Sequence, residues 1–261
     1  MLRSLYTAAT GMEAQQFQMD TIANNLANVG TTGFKRVRAE FEDLLSVTLQ
    51  PAGTPTLQGG GRPAPLQMGL GVKTAATTRS FQQGDMISSN NPLDVAIEGQ
   101  GFLRIQRVNG ELAYTRAGNL RIDASGRLET QRGELLDPGI TVPQDATEIS
   151  IRAEGLVSAR VPGRDEPVEL GTIEVVMFAN PAGLEAIGGN LLRATAASGD
   201  PISSRPGEQG AGTLLQGYTE GSNVKAVEEM IGLITTQRSY ELNSKVISTA
   251  DQMLQRLTNL R

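Results

Sequence analysis

Apolar residues recur with a helical period at both ends of this chain. Near the N-terminus two series of residues, each with a spacing of seven, make up the pattern: Leu5, Met12, Met19 and Leu26, and Ala8, Gln15, Ile22 and Val29. A repeat of 3.5 residues is typical of a coiled-coil stripe and predicts a helix over residues 3–28. Asn24, Asn25 and Asn28 lie at its C-terminal end and compete with helix geometry through their side chains. Gly30 is expected to end the helix in a left-handed conformation.

The C-terminal end repeats this pattern. Its main series is Leu233, Tyr240, Ile247 and Leu254, flanked by Val246, Met253 and Leu260 and widened by Ala250 and Leu257. The pattern predicts a second helix over residues 224–260, with Ser222 or Asn223 as its N-cap. Glu228 and Glu229 would then lie near the positive end of the helix dipole, where acidic side chains are favoured.

The N-terminal helix carries little charge, because only three of the first 33 residues are charged: Arg3, Glu13 and Asp20. Two arrangements of the helices are open. They could pair as an antiparallel hairpin against the rest of the chain, or pair with each other and also with copies of themselves. The low charge favours the second arrangement, because two helices alone would leave much apolar surface in water. The residues that would then form a subunit interface are Leu5, Met12, Met19, Ile22, Leu26, Val29, Leu233, Tyr240, Ile247, Leu254 and Leu257.

Between the helices the pattern changes to that of β-structure. Short stretches with alternating apolar and polar residues lie at 93–97, 102–105, 112–115, 120–123, 128–130, 149–151 and 172–178. Strands at such short spacing, without helices between them, predict an antiparallel β domain. Residues 34–45 mix three basic with three acidic side chains and predict a solvated connector or a short helix. Residues 46–70 hold four prolines and five glycines and predict extended or loop structure.

The sequence therefore predicts an α+β fold, in which N- and C-terminal heptad helices form a coiled-coil-like pair and an antiparallel all-β domain is inserted between them. Four segments follow from the pattern. They are the N-terminal helix at 1–33, the connector and extended Pro/Gly-rich segment at 34–71, the β domain at 72–221 and the C-terminal helix at 222–261.

The composition lacks residue types that commonly act in catalysis or bind metals. The 261 residues include no histidine and no cysteine, so the commonest general base and metal ligand is missing and disulfides are excluded. We therefore predict no catalytic residue, no cofactor and no metal site. A net charge of −5 without a basic patch disfavours nucleic acid as a partner. The first residues do not resemble a cleavable secretory signal, and no stretch is long enough to span a membrane, which alone would predict a cytoplasmic protein.

Two functions of other classes remain open at this point. Glu98 with Glu111, or Asp123 with Glu129, could form the acid pair of a peptidoglycan hydrolase, although charges on exposed strand faces explain these residues more simply. The β domain could also be an envelope carbohydrate-binding module. Such a module has no need of paired heptad helices at its ends.

Several longer motifs resemble those of the bacterial flagellar rod, hook and hook-associated proteins. The N-terminal signature lies at residues 23–35 and ends in Gly-Phe-Lys. The other matching segments lie at 94–102 and 113–119 in the middle, and at 216–218, 222–224, 237–241 and 251–254 in the C-terminal block. The motifs occur in the family's order and cover nearly the whole chain, with the poorest match around residues 50–65.

The resemblance implies a structural subunit of the flagellar axis, of the rod or of the hook, that polymerises helically through its terminal helices and transmits torque. The partners it implies are further copies of the chain, proximal-rod and hook proteins, the surrounding ring proteins and the flagellar type III export apparatus. It also implies a place in the basal body, crossing the periplasm, after export without a cleavable signal peptide.

One short element resembles the Phe-x-x-x-hydrophobic sequence by which export substrates engage the export gate. Its residues are Phe41 and Leu45. Two apolar residues at positions i and i+4 of a short helix explain the same spacing more simply.

Overall fold

The computed structural model describes residues 2–52, 64–164 and 166–258, without the side chains of Leu2, Leu257 and Thr258. The chain divides into two compact units. The first comprises Met1–Leu26, Val37–Thr78 and Lys225–Arg261, and the second comprises Ala27–Arg36 and Arg79–Val224.

The first unit contains both long helices, α1 (Leu2–Ala27) and α2 (Ala226–Thr258). Its strands are β1 (Val37–Asp43), β2 (Val47–Gln50), β3 (Leu66–Met68) and β4 (Val72–Arg79). Strand β1 pairs with β4, and β2 forms an antiparallel pair with β3.

Strand β1 corrects the expectation of a connector or short helix at residues 34–45. Val37 and Ala39 are half-buried, whereas Arg38 and Glu40 between them are exposed. This alternation has the period of two that a strand requires, and it outweighs the mixed charge on which the expectation rested.

Three close approaches align α1 and α2. The pairs are Asn25 with Glu229, which share a hydrogen bond of 3.3 Å, Ile22 with Gly232, and Gly11 with Asn243. Residue numbers fall along α2 as they rise along α1, so the two helices run antiparallel. A methyl group on Gly232 would lie 3.4 Å from Ile22 Cδ1, and one on Gly11 would lie 3.0 Å from Asn243 Nδ2. Both glycines therefore allow a close approach of the helices, and α2 continues through Gly232.

The second unit is built of short strands and one 3₁₀ turn (Pro181–Gly183). Its strands are β5 (Met86–Ser88), β6 (Val95–Glu98), β7 (Phe102–Gln106), β8 (Leu112–Thr115), β9 (Leu120–Ile122), β10 (Leu128–Thr130), β11 (Leu135–Leu136), β12 (Glu148–Ile151), β13 (Leu156–Arg160), β14 (Val168–Thr172), β15 (Val175–Met177), β16 (Glu185–Gly188), β17 (Leu191–Arg193), β18 (Ile202–Ser204), β19 (Thr213–Gln216) and β20 (Tyr218–Glu220).

Nine of these strands form one antiparallel sheet. Its order is β16-β17-β8-β7-β11-β10-β9, and β15 pairs both with β7 and with β18. Smaller sheets consist of β12-β13-β14, of β6 with β19 and of β5 with β20. The last two pairs matter for the site, because β19 and β20 directly precede α2 and pair with strands from the start of the unit.

The core of the second unit is aliphatic, and its most deeply buried members include Ile97, Leu103, Ile105, Leu128 and Leu136. Each belongs to one of the paired strands, so sheet formation and burial reinforce each other. The structure confirms the predicted α+β class, with a long helix near each end of the chain and many antiparallel strands between them.

Candidate subunit interface

Charged residues from three distant parts of the chain meet in one buried cluster within the second unit. Lys35 Nζ lies 2.6 Å from Glu220 Oε1, and Arg116 Nε lies 2.7 Å from Glu220 Oε2. The three side chains are almost completely buried. Lys35 belongs to the N-terminal signature, Arg116 follows β8, and Glu220 ends β20. We call these three residues the charge cluster.

Backbone groups complete the charge cluster. The Gly84 N–H donates to Glu220 Oε1 at 2.9 Å. The carbonyl groups that accept the remaining bonds from Lys35 and Arg116 belong to Gln82, Ile97, Gly99 and Gly101. Two cations thus share one carboxylate, and carbonyl dipoles stabilise the remaining positive charge. No pattern in the sequence indicated this cluster, although each member stands in or beside one of the quoted motifs.

The surroundings shift the pKa values of the cluster in a consistent way. Burial is the largest influence on Glu220 and would raise its pKa, but the hydrogen bond and charge of Arg116, with the hydrogen bonds from Lys35 and Gly84, outweigh it. The pKa of Glu220 therefore lies below its ordinary value. Burial lowers the pKa of Lys35, although the hydrogen bond and charge of Glu220 oppose this effect.

A glycine of the N-terminal signature lets the chain approach this cluster. Gly33 adopts the left-handed conformation with φ of 68°, and its N–H donates to the Glu220 carbonyl at 2.7 Å. A side chain there would lie 2.7 Å from the Ala117 nitrogen. The expectation for Gly30 was wrong, because Gly33 and not Gly30 takes the left-handed conformation. The turn after α1 is therefore stabilised by the contacts of Gly33, three residues beyond the predicted position at Gly30.

The sequence suggested Asn223 as a possible N-cap of α2, but in the structure this residue has a different role. Its Oδ1 accepts the Arg36 N–H at 2.7 Å, and its Nδ2 donates to the carbonyls of Ser80 and Gln82 at 2.9 and 3.0 Å. The helix begins three residues later, at Ala226. Asn223 therefore joins the chain that follows α1 to the chain that precedes α2.

Asn25 has a comparable role in the first unit. Its side chain accepts the Val37 N–H at 2.9 Å and donates to the Val37 carbonyl at 2.8 Å, as a neighbouring strand would. Its Nδ2 also lies 3.3 Å from Glu229 Oε2, and both side chains are buried. This asparagine fixes the end of α1 instead of interrupting the helix.

The predicted interface residues lie mostly on the inner side of the helices of a single chain. Ile22 is buried, and Val29 is exposed beyond the end of α1. The half-buried members are Leu5, Met12, Met19, Leu26, Leu233, Tyr240, Ile247 and Leu254. Leu257 lies in α2, but its side chain is outside the described part of the structure. The interface role of this set stays a prediction.

A second apolar face of α2 is exposed to solvent in the single chain. It consists of Val227, Met230, Ile231 and Ile234, which we call the outer ridge. The spacing i, i+3, i+4, i+7 places them on one side of the helix, away from Gly232, which faces α1. The ridge was not predicted from the sequence, because the seven-residue series beside it is the stronger pattern. Leu242, Val246 and Met253 are exposed further along the helix.

The export element lies on and just after β1. Phe41 is 38% exposed and Leu45 is 88% exposed. Because residues 37–43 form a strand, the simpler explanation through a short helix is wrong. Recognition by an export gate stays a prediction, which secretion of a variant with both residues changed to alanine would test.

The acidic residues considered for catalysis have ordinary surface roles. Three of them pair with neighbouring arginines: Glu111 with Arg107 in an exposed ion pair, and Asp123 with Arg127 and Glu129 with Arg121 in pairs whose carboxylates are largely covered while the arginines stay exposed. Among the described residues, no group of acidic side chains is arranged to hold a metal ion. No helix within the same ranges is both long and apolar enough to cross a membrane.

Comparison with known families places three segments of the chain. Residues 5–35 match the family described as flagella basal body rod protein. Residues 96–159 match the flagellar hook protein FlgE/F/G D1 domain, and residues 215–260 match the flagellar basal body rod FlgEFG protein C-terminal family. The first and last matches contain Lys35 and Glu220, and the middle one contains Arg116.

Curated proteins match over the full length of the chain. The flagellar basal-body rod protein FlgG of Borreliella burgdorferi is 51% identical over 100% of this chain and 99% of its own. The proteins of the same name from Caulobacter vibrioides and Bacillus subtilis are 50% and 39% identical, each over the whole of both chains.

Proposed function

This chain belongs to the family of flagellar basal-body rod proteins, and from that premise we propose that it builds the distal part of the flagellar rod. It is a structural subunit and not an enzyme. The full-length similarity to rod proteins named FlgG supports the distal position over that of a proximal-rod or hook subunit. In this position the polymer acts as a drive shaft that transmits motor torque to the hook.

The outer ridge is the observation on which the assembly mechanism rests. Four large apolar side chains stay exposed on α2 after the two helices have approached each other, and Val227 reaches 69% exposure. Burying such a side chain against a second copy stabilises the contact by about 1.5–3 kcal/mol before ordering costs. A contact between two different surfaces, repeated without closure, gives a helical filament.

The helices have two separate roles in this proposal. Their half-buried seven-residue series pair within one chain as a coiled-coil-like hairpin, while the outer ridge contacts a neighbouring copy. Segments 1–33 and 222–261 would then form the tube, with the β domain at 72–221 attached to it through the connector at 34–71. The partners at the two ends of the polymer are proximal-rod and hook proteins, and ring proteins surround it in the periplasm.

The charge cluster suits a subunit that transmits torque. It attaches the segment after α1 and the segment before α2 to the same β body, through hydrogen bonds of 2.6–2.7 Å to one carboxylate. Buried, mutually bonded charges have a single favourable arrangement, so these two segments keep a fixed position within the second unit.

Electron microscopy of the purified full-length protein tests the proposal. We expect straight helical filaments above a critical concentration and no activity on purified cell wall. Curved, hook-like filaments would favour the hook alternative. Failure to polymerise together with release of cell-wall fragments would favour the peptidoglycan hydrolase.

The Pro/Gly-rich segment offers a prediction about stiffness, although residues 53–63 lie outside the described part of the structure. Its ends form the β2–β3 pair, which has exposed apolar side chains at Val47, Leu49, Leu66 and Met68. An isolated two-stranded hairpin is only marginally stable, so a neighbouring subunit is a reasonable support for it. Deletion of residues 50–65 should leave assembly possible but give filaments that bend more or form less readily. A straight, rigid filament from the deletion variant, imaged beside the parent, would contradict this role.

A further inference from the structure

Both helices carry a pair of like charges seven residues apart. In α1 the pair is Glu13 and Asp20, which are exposed and account for two of the three charged residues of that helix. In α2 the pair is Arg238 and Lys245, also exposed. Seven residues span about 10.5 Å along a helix, so the acidic and basic pairs have the same axial separation.

The two pairs lie on the outer sides of their helices. At 100° per residue, Glu13 and Asp20 lie roughly 180–200° from Gly11, which faces α2. By the same geometry Arg238 and Lys245 lie roughly 200–220° from Asn243, which faces α1. Neither pair can therefore reach the other within one chain.

None of the four side chains has an ion pair or a hydrogen bond within the described residues of this chain. Glu13 borders a depression that Lys73 also lines. Lys73, however, is already paired with Glu42 at 2.5 Å. The cations also continue the outer ridge, because Ile234, Arg238 and Lys245 follow one another at spacings of four and seven on the same face of α2. Apolar contacts flanked by charges are the usual arrangement by which packed helices select a partner and a register.

We propose that the acidic pair of one copy binds the basic pair of the next copy, with Glu13 opposite Lys245 and Asp20 opposite Arg238. This inference rests on the proposed function and adds the residues that set the register between subunits. The occupant is a second copy of this chain, because the two pairs match in sign and spacing and lie on opposite sides of the hairpin. Each copy then has an acidic pair on one side and a basic pair on the other, the basic pair flanking the exposed Glu241, so the contact repeats without closing.

Antiparallel pairing follows from the arrangement within the chain. If neighbouring copies point the same way along a filament, α1 of one copy and α2 of the next run in opposite directions, as they do inside one hairpin. Glu13 and Asp20 then match Lys245 and Arg238 in that order. A shift by one heptad would leave one acid and one base without a partner, so the two pairs together favour a single register.

The test uses full-length protein in two variants, E13K/D20K and R238E/K245E. Each should raise the critical concentration for polymerisation by about tenfold or more, because two attractive pairs become repulsive. An equimolar mixture of the two variants should polymerise near the concentration of the parent, since every contact between unlike copies again joins opposite charges. The control E148K/E208K changes the net charge by the same amount as E13K/D20K, at exposed positions of the other unit, and should polymerise like the parent.

The outcomes separate the inference from the proposed function. If the parent polymerises and the variants do so equally well, the charge pairing is wrong while the rod assignment stands. If each variant keeps the helix content and melting temperature of the parent but the mixture does not recover, the pairing between copies is also wrong. If the parent itself forms no filament, the proposed function fails first.

Discussion

Replacement of Glu220 by alanine is expected to lower the free energy of unfolding of the second unit, which contains the charge cluster, by about 3–5 kcal/mol. The variant leaves Lys35 and Arg116 buried within a few ångströms of the lost carboxylate, where backbone carbonyl groups are the hydrogen-bond partners that remain to them among the described residues. Burial of an unpaired charge is among the costliest single changes in a protein. Urea unfolding followed by circular dichroism measures the effect.

A matched control separates this loss from the removal of an ordinary ion pair. Glu148 pairs with Arg160 at 3.0 Å, but both side chains are more than 60% exposed. Glu148→Ala should change the free energy of unfolding by at most about 1 kcal/mol. If Glu220→Ala costs no more than this control, the charge cluster does not hold the second unit together.

The pH dependence of the same variant has a definite sign. Because the pKa of Glu220 is lower in the folded protein than in the unfolded chain, its ionised form contributes stability at pH values above the ordinary range for a glutamate. That contribution is lost as the pH falls through the lowered pKa. We therefore expect the difference in stability between the parent and Glu220→Ala to be largest near neutral pH and to shrink in acid. A difference that stays constant from pH 7 to about pH 2 would contradict this origin.

The helices show how much the sequence alone could predict. The seven-residue series placed them at 3–28 and 224–260, and they occur at Leu2–Ala27 and Ala226–Thr258. Periodicity extends over many residues, so it defines a helix well even when its ends shift by one or two positions. Strand β1 had a comparable signal in the alternation of Val37, Ala39 and Phe41, which the neighbouring charges obscured.

Such patterns could not predict the charge cluster or distinguish the two faces of α2. Glu220 lies 185 residues from Lys35 and 104 from Arg116, and no local spacing connects them. The periodicity likewise predicts that α2 has apolar sides, but it does not predict which of these sides packs against α1. The approaches of Glu229, Gly232 and Asn243 to α1 decide that question, and they leave the outer ridge exposed. The quoted motifs therefore indicated where contacts would form without indicating what they join.

Replacement of Ile234 by aspartate is expected to prevent filament formation while leaving the single subunit folded. Ile234 is 51% exposed and lies on the outer ridge, so a carboxylate there meets water in the monomer. In the filament the same group would be buried against a neighbouring copy without a partner, which costs far more than the apolar contact it replaces. The critical concentration, measured by sedimentation of full-length protein, should rise by about two orders of magnitude or more, equivalent to about 3 kcal/mol or more per contact.

A closely matched control for Ile234→Asp exists in the second unit. Ile202 on β18 is the same residue type at 50% exposure, so Ile202→Asp makes an identical chemical change on a similarly exposed side chain. This variant should polymerise within a few-fold of the parent, and both variants should keep the parent's melting temperature, because neither position is in a buried core. Filaments from Ile234→Asp at the parent's concentration would exclude the outer ridge from the interface. Subunit contacts would then have to form through other apolar surface of these helices, such as the exposed Leu242, Val246 and Met253 of α2, or the half-buried residues between α1 and α2 after the hairpin had opened.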